Sequence, residues 1–233
     1  MEQKPGRIWE LDFIRGSCLL LMLTYHFLYD LVEFTDFYYP YDQGWMYTAG
    51  RIVALLFIGT AGISSTLSRS NVKRGIRILA IALAITVITS QMAPGFHIQF
   101  GILHFMGTCM VLYGGLERLK PSAAFLAAIS LPALGLGWVF ERLTDPTGWL
   151  FPLGILSPGF ISADYYPIFP YIGVFLLGAA FGKQFYGRRK SLFPFRLKND
   201  PVSLVGRHSL LLYVLHQPVF IGAILAVKAL LSR

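Results

Sequence analysis

Long apolar runs recur along this chain, each bounded by charged or turn-forming residues. They lie near Ile14–Val32, Tyr47–Leu67, Ile76–Met92, Phe100–Leu116, Ala123–Phe140, Tyr166–Gly182 and Leu204–Leu231. A hydrocarbon core of roughly 30 Å takes about 20 apolar residues as a helix, and a spanning segment must satisfy its own backbone hydrogen bonds. The pattern therefore predicts an all-α, polytopic membrane protein with about seven transmembrane helices. Only 14% of the 233 residues are charged and 55% are hydrophobic, whereas a soluble domain carries about 25% charged residues. Such a chain cannot hide its apolar surface in water. Nothing is left over for a soluble appendage, so residues 1–233 read as a single integral membrane domain.

Lysine and arginine collect in alternate links. Lys4 and Arg7 precede the first run; Arg69, Lys73, Arg74 and Arg77 follow the second; Arg118 and Lys120 follow the fourth; Lys183, Arg188, Arg189, Lys190, Arg196, Lys198 and Arg207 follow the sixth. The other links hold Glu33, Asp36, Asp42, Glu141, Asp145 and Asp164, with few basic residues beyond Arg51 and Arg142. Cytoplasmic loops are enriched in basic residues, so the N-terminus is expected inside and the C-terminus outside. The net charge of +8 is thus spread between spans, not gathered on a face for nucleic acid, which is not expected as a partner. Cys18 and Cys109 fall inside apolar runs and offer neither a disulfide framework nor metal-ligand spacing. Lys4 and Arg7 stand ahead of the first run as in a signal peptide, but Glu10, Asp12 and Arg15 intervene and no small-residue cleavage site follows, so it reads as an uncleaved span. Tyr38, Tyr39, Tyr41, Trp45 and Tyr47 cluster at the outer end of the first two spans, and Trp149, Phe151, Tyr165 and Tyr166 before the sixth. They suit an interfacial belt or a stacking platform for sugar rings. Gly178 and Gly182 suit close helix packing.

An ionisable side chain inside a span is costly, and its presence points to function. The first span has the densest set. Arg15 and His26 are eleven residues apart, close to three helical turns, which puts them on one face about 16 Å apart along the axis. His26 and Asp30 stand at i, i+4, the spacing at which a carboxylate can orient an imidazole as a general base; a neutral, buried histidine and an interfacial aspartate fit equally well. His104 in the fourth span is expected near the depth of His26, whereas His97 lies in an outer loop as an ordinary exposed histidine. Asp164 and Tyr165 stand at the mouth of the sixth span, suited to an acceptor hydroxyl or to ending the helix. Tyr213, His216 and Gln217 precede Pro218 in the last span, where they would line a tunnel or satisfy a kink.

Three stretches carry a family resemblance. Glu10-Leu11-Asp12-Phe13-Ile14-Arg15-Gly16 running to His26-Phe27-Leu28-Tyr29-Asp30, Phe100-Gly101-Ile102-Leu103-His104-Phe105, and Gly206-Arg207-His208-Ser209-Leu210 with Tyr213, His216, Gln217 and Pro218 resemble spans of bacterial proteins in the heparan-α-glucosaminide N-acetyltransferase catalytic-domain family. The spacing of Arg15 and His26 is similar to a signature of the wider membrane acyltransferase superfamily. The resemblance implies an enzyme of a bacterial inner membrane that takes an acetyl group from cytoplasmic acetyl-CoA and passes it to a sugar or other glycan acceptor outside. The family's animal enzyme has its proposed catalytic histidine in the loop after this first span; the corresponding loop here, Glu33 to Met46, holds none, which leaves His26 as the candidate.

On that basis His26 and Asp30 are expected to be catalytic, and Arg15, Arg74 and Arg77 to hold the phosphates of acetyl-CoA, with no metal. His104, Asp164, Tyr165, Tyr213, His216 and Gln217 are expected to support the substrate or the developing oxyanion. The alternative from a different class is a small proton-coupled transporter or channel using Arg15, His26, Asp30, His104 and His216 as a relay. A structural or lipid-binding subunit is a third.

Overall fold

The computed structural model describes residues 8–92, 94–195, 197 and 200–231; Lys4, Arg7, Arg196 and Lys198 of the orientation argument lie outside them. The described residues form eight α-helices and no named strand. They are α1 (Trp9–Phe34), α2 (Gly44–Thr66), α3 (Asn71–Thr89), α4 (Ile102–Leu116), α5 (Ala123–Phe140), α6 (Ile168–Tyr186), α7 (Pro201–Arg207) and α8 (Ser209–Leu231). Five of them, α1, α2, α5, α6 and α8, are long and apolar enough to cross a membrane, so the chain is a multi-pass membrane protein. The two remaining expected spans become α3 and α4. Lys73, Arg74 and Arg77 occupy the first two turns of α3, and α4 has only 15 residues, short of the roughly 20 that a crossing helix takes.

Two other boundaries differ from the apolar pattern. The last run is broken at His208, whose backbone leaves the helical region (φ −106, ψ 18). The seven-residue α7 before it begins with Pro201 behind Asp200, whose carboxylate accepts from the backbone N–H groups of Val202 and Ser203 at 3.3 and 2.7 Å. The sixth run enters its helix only at Ile168, after Pro167, and is kinked within its first turn at Phe169, whose backbone is extended.

The described residues gather into two compact units, those up to residue 60 with those from 189 onward, and those from 61 to 188. In the first, α1 packs against α7 and α8. Its tightest point is the crossing of Gly16 and Gly206: a Cβ on Gly16 would strike the carbonyl of Val202, and one on Gly206 would strike that of Asp12. Backbone meets backbone, so only glycine fits. Nearer the start of α1, Glu10 accepts from the N–H of Leu192 at 2.8 Å, and the Trp9 indole donates to the Phe195 carbonyl at 3.0 Å. Toward its far end Phe27 meets Phe220 edge-on, with centroids 5.4 Å apart, and Lys228 donates to the Phe34 carbonyl at 3.3 Å. These contacts advance together along both segments, so α1 and α7–α8 run in the same direction.

In the second unit α3 packs on α4 and α5 on α6. Gly75 and Gly107 face each other across the first pair, Gly137 lies against Pro170 and Gly173 against Leu134 in the other. The end of α2 joins this unit, with Gly182 of α6 packed against Ile63 and Thr66. The connection into α4 is tied to the one before α6: Tyr166 N–H donates to the Phe100 carbonyl at 2.9 Å and Ala163 N–H to that of His97 at 2.9 Å.

Candidate active site

The first unit brings together five of the residues singled out from the sequence. Beyond Gly16 α1 runs on to meet α8, and at His26 the partner is another imidazole. His26 Nδ1 lies 2.7 Å from His216 Nε2, with ring centroids 4.9 Å apart and planes at 33°. On its other side His216 Nδ1 is 2.5 Å from the backbone carbonyl oxygen of Tyr213. His216 is 7% exposed, and the Phe220 ring closes on it edge-on at 5.8 Å. One turn beyond His26, Asp30 is fully buried, and the Gln217 side-chain amide donates to its Oδ1 at 2.5 Å. Asp30 Oδ2 is buried with no hydrogen-bond partner among the described residues.

The i, i+4 contact between His26 and Asp30 does not form. Both face α8, where adjacent residues give each its own partner: an imidazole for the imidazole, a primary amide for the carboxylate. Tyr213 contributes its carbonyl to this arrangement. That carbonyl belongs to Tyr213 and not to Val214, the one that Pro218 deprives of its helical donor. Arg15 sits nearer the start of α1, where its guanidinium pairs with Asp12 at 3.2 Å.

The remaining candidates lie in the second unit. Thr86 Oγ1 donates to the Ile98 carbonyl at 2.8 Å and lies 3.1 Å from His104 Nε2. Its single proton is committed, so it accepts from an Nε2–H on His104, whose Nδ1 then carries the lone pair. The His104 ring stacks on Phe100 at 5.6 Å. Asp164 Oδ2 accepts from the Ile102 N–H at 2.8 Å at the start of α4; burial pushes this carboxyl up to about 6, against the opposing effect of that N–H. Tyr165 donates its hydroxyl to the Phe151 carbonyl at 2.6 Å, and burial raises its phenol. Both residues thus knit the connections before α4 and α6. Arg74 and Arg77 are exposed on the first turns of α3. His97, expected as an ordinary exposed histidine, instead has its Nε2 buried with no hydrogen-bond partner among the described residues.

Sequence reasoning named His26 and His216 separately but missed that they meet. The available signal was two histidines in apolar runs, each ten residues beyond a glycine, Gly16 and Gly206. Chemically, the pair is a nitrogen base in a protein interior with a built-in neighbour able to share its proton. Among the described residues no three metal-ligating side chains converge.

The family model described as heparan-alpha-glucosaminide N-acetyltransferase, catalytic, matches residues 7–218, a span that contains every residue named above as a candidate. No curated protein matches the chain. No solved structure matches it either.

Proposed function

Because the chain belongs to the heparan-alpha-glucosaminide N-acetyltransferase catalytic family, which implies transmembrane acetyltransferase activity, we propose that it transfers an acetyl group from acetyl-CoA on one face of the membrane to an acceptor hydroxyl or amine on the other. His26 is the general base. The observation that carries this reading is its hydrogen bond to His216, which holds a basic imidazole between two helices.

The direction is from a bacterial cytoplasm to a glycan acceptor outside the inner membrane. Loop charge supports it, and the common direction of α1 and α8 bears on the number of crossings. Two spans that run the same way need an odd number of crossings between them, so the total is odd and the ends of the chain lie on opposite faces. Seven crossings, with α3 and α4 included, meet that condition, as do five. Arg15, toward the start of α1, supplies positive charge for the donor's phosphates. Asp30 Oδ2, the unpartnered carboxylate oxygen, accepts a hydrogen bond from the acceptor nucleophile. Tyr213 and Gln217, beside His26 in the same unit, are the candidates to stabilise the oxyanion.

Chemically, the acceptor heteroatom bonds to the thioester carbonyl carbon and its proton goes to His26. The carbon–sulfur bond then breaks and the departing thiolate takes the proton from His26. The test is acetyl transfer or acetyl-CoA hydrolysis by purified protein. His26→Ala is expected to lower it by about 10²–10⁴-fold, the usual share of general-base catalysis; unchanged turnover would overturn the role. A proton-coupled transporter is the second reading, favoured by a histidine pair beside a buried aspartate. Proton-dependent solute uptake by proteoliposomes, with no acetyl-CoA turnover, would establish it instead.

A further inference from the structure

The expected orienting group for His26 was Asp30, and His216 was expected to touch the substrate. Hydrogen-bond chemistry along the chain of contacts leads elsewhere. A backbone carbonyl only accepts, so the 2.5 Å contact between Tyr213 O and His216 Nδ1 requires a proton on that nitrogen. In a neutral His216 the other nitrogen, Nε2, is then an acceptor. It faces His26 Nδ1 at 2.7 Å, so His26 must donate from Nδ1. Its own Nε2 carries the lone pair. The direction of both bonds thus follows from one backbone oxygen, and the tautomer of His26 is fixed by a residue far away in the sequence.

We infer that His216 is a positioning residue: anchored by the Tyr213 carbonyl, it holds His26 in the Nδ1–H tautomer, so that His26 Nε2 is the atom that takes the acceptor's proton. This inference rests on the acetyl-transfer reading for its consequence and on the two hydrogen bonds for its content. When the acceptor gives its proton to His26 Nε2, the resulting imidazolium keeps its Nδ1–H on His216 Nε2. His216 thereby stabilises the charge without touching either substrate. When the thiolate leaves, it takes the proton back from Nε2 and the neutral pair is restored. Nothing is consumed within the pair. Gln217, the next residue, ties α8 to Asp30 by a separate bond, so the two contacts are separable by mutation.

The experiment combines kinetics with the nitrogen spectrum of the ring. Glutamine at 216 retains a carbonyl to accept from His26 Nδ1–H and an amide to donate to Tyr213; leucine retains neither. His216→Leu is expected to lower kcat for acetyl transfer by about 10²–10⁴-fold with the acetyl-CoA KM unchanged, and His216→Gln to recover at least tenfold of that loss. In purified protein carrying ¹⁵N-histidine, with resonances assigned by comparison with His26→Ala, His26 should be the Nδ1–H tautomer in the wild type and in His216→Gln. It should lose that preference in His216→Leu. An Nε2–H His26 in the wild type, or a glutamine variant as slow as the leucine variant, would overturn the assignment. Wild-type protein with an Nδ1–H His26 but no acetyl transfer would instead sink the proposed function and leave the positioning role standing.

Discussion

His26 Nδ1 and His216 Nε2 lie 2.7 Å apart although 190 residues separate them. The contact joins the first long helix of the chain to the last. The bond between the two rings is made across helices, so the pair exists only once α1 and α8 are packed, and it disperses when they separate.

Asp30 provides a control on that pair. Asp30→Asn keeps an oxygen for the Gln217 amide and leaves the histidine bond untouched. It is expected to leave acetyl-CoA hydrolysis within a few-fold of the wild type while raising the KM for the acceptor, as steady-state kinetics would show. Asp30→Leu removes the oxygen and leaves the half-buried Gln217 amide without that partner, at a cost of about 1 kcal/mol of stability measured by unfolding in detergent.

The glycine crossing should tolerate no side chain. Gly16→Ala and Gly206→Ala each drive a methyl group into backbone, with no flexible side chain to yield. Each is expected to destabilise the protein by about 1–3 kcal/mol or more, and to lower acetyl transfer through misplacement of His26. Thermal unfolding and activity should fall together; an alanine variant of either with wild-type stability would contradict the crossing.

Asp164 sets a pH dependence in the second unit. Its folded-state pKa is raised to about 6 by burial, above the roughly 3.9 of an unfolded aspartate. The native state therefore holds the proton more tightly, and stability falls as pH rises from about 4 to about 6. Asp164→Asn retains an acceptor for the Ile102 N–H and should flatten that slope. Asp164→Ala removes the acceptor and should cost about 1 kcal/mol as a lost helix cap. Unfolding midpoints measured across pH 4–8 separate the two.

Asp200 shows the opposite sign. Its bonds to Ser203, together with the Val202 N–H and the charge of Arg207, hold its carboxyl below the usual range. Its contribution to α7 is present above the ordinary aspartate range and is lost as pH falls through the depressed folded value. Asp200→Asn should abolish this acid-side dependence, read as the loss of helical signal on acidification.

Apolar run length made the helices legible, because hydropathy alone locates a segment that must satisfy its backbone in lipid. It failed where polarity was not the deciding quantity. The break at His208 is a backbone event inside an apolar stretch. The site was legible as single residues, since a histidine or aspartate in such a run stands out. The i, i+4 pairing of His26 with Asp30 was the natural inference from one helix considered alone. Once α8 is beside it, His216 and Gln217 supply better-matched partners, and no local spacing encodes that. His97 shows the same limit in reverse, as a loop histidine with a buried nitrogen.

The glycine crossing and the histidine bond form two rungs of a ladder. His26 follows Gly16 by ten residues, and His216 follows Gly206 by ten. On α1 that interval is about 15 Å of uninterrupted helix, and each residue adds about 100° of rotation. The lower rung therefore sets the angular phase at the upper one. A single residue inserted between Gly16 and His26 would turn the imidazole about 100° away from His216 while leaving every chemical group present. The base is specified by length as much as by identity, and compensating insertions in the two segments are the changes most able to bring the rings back into phase.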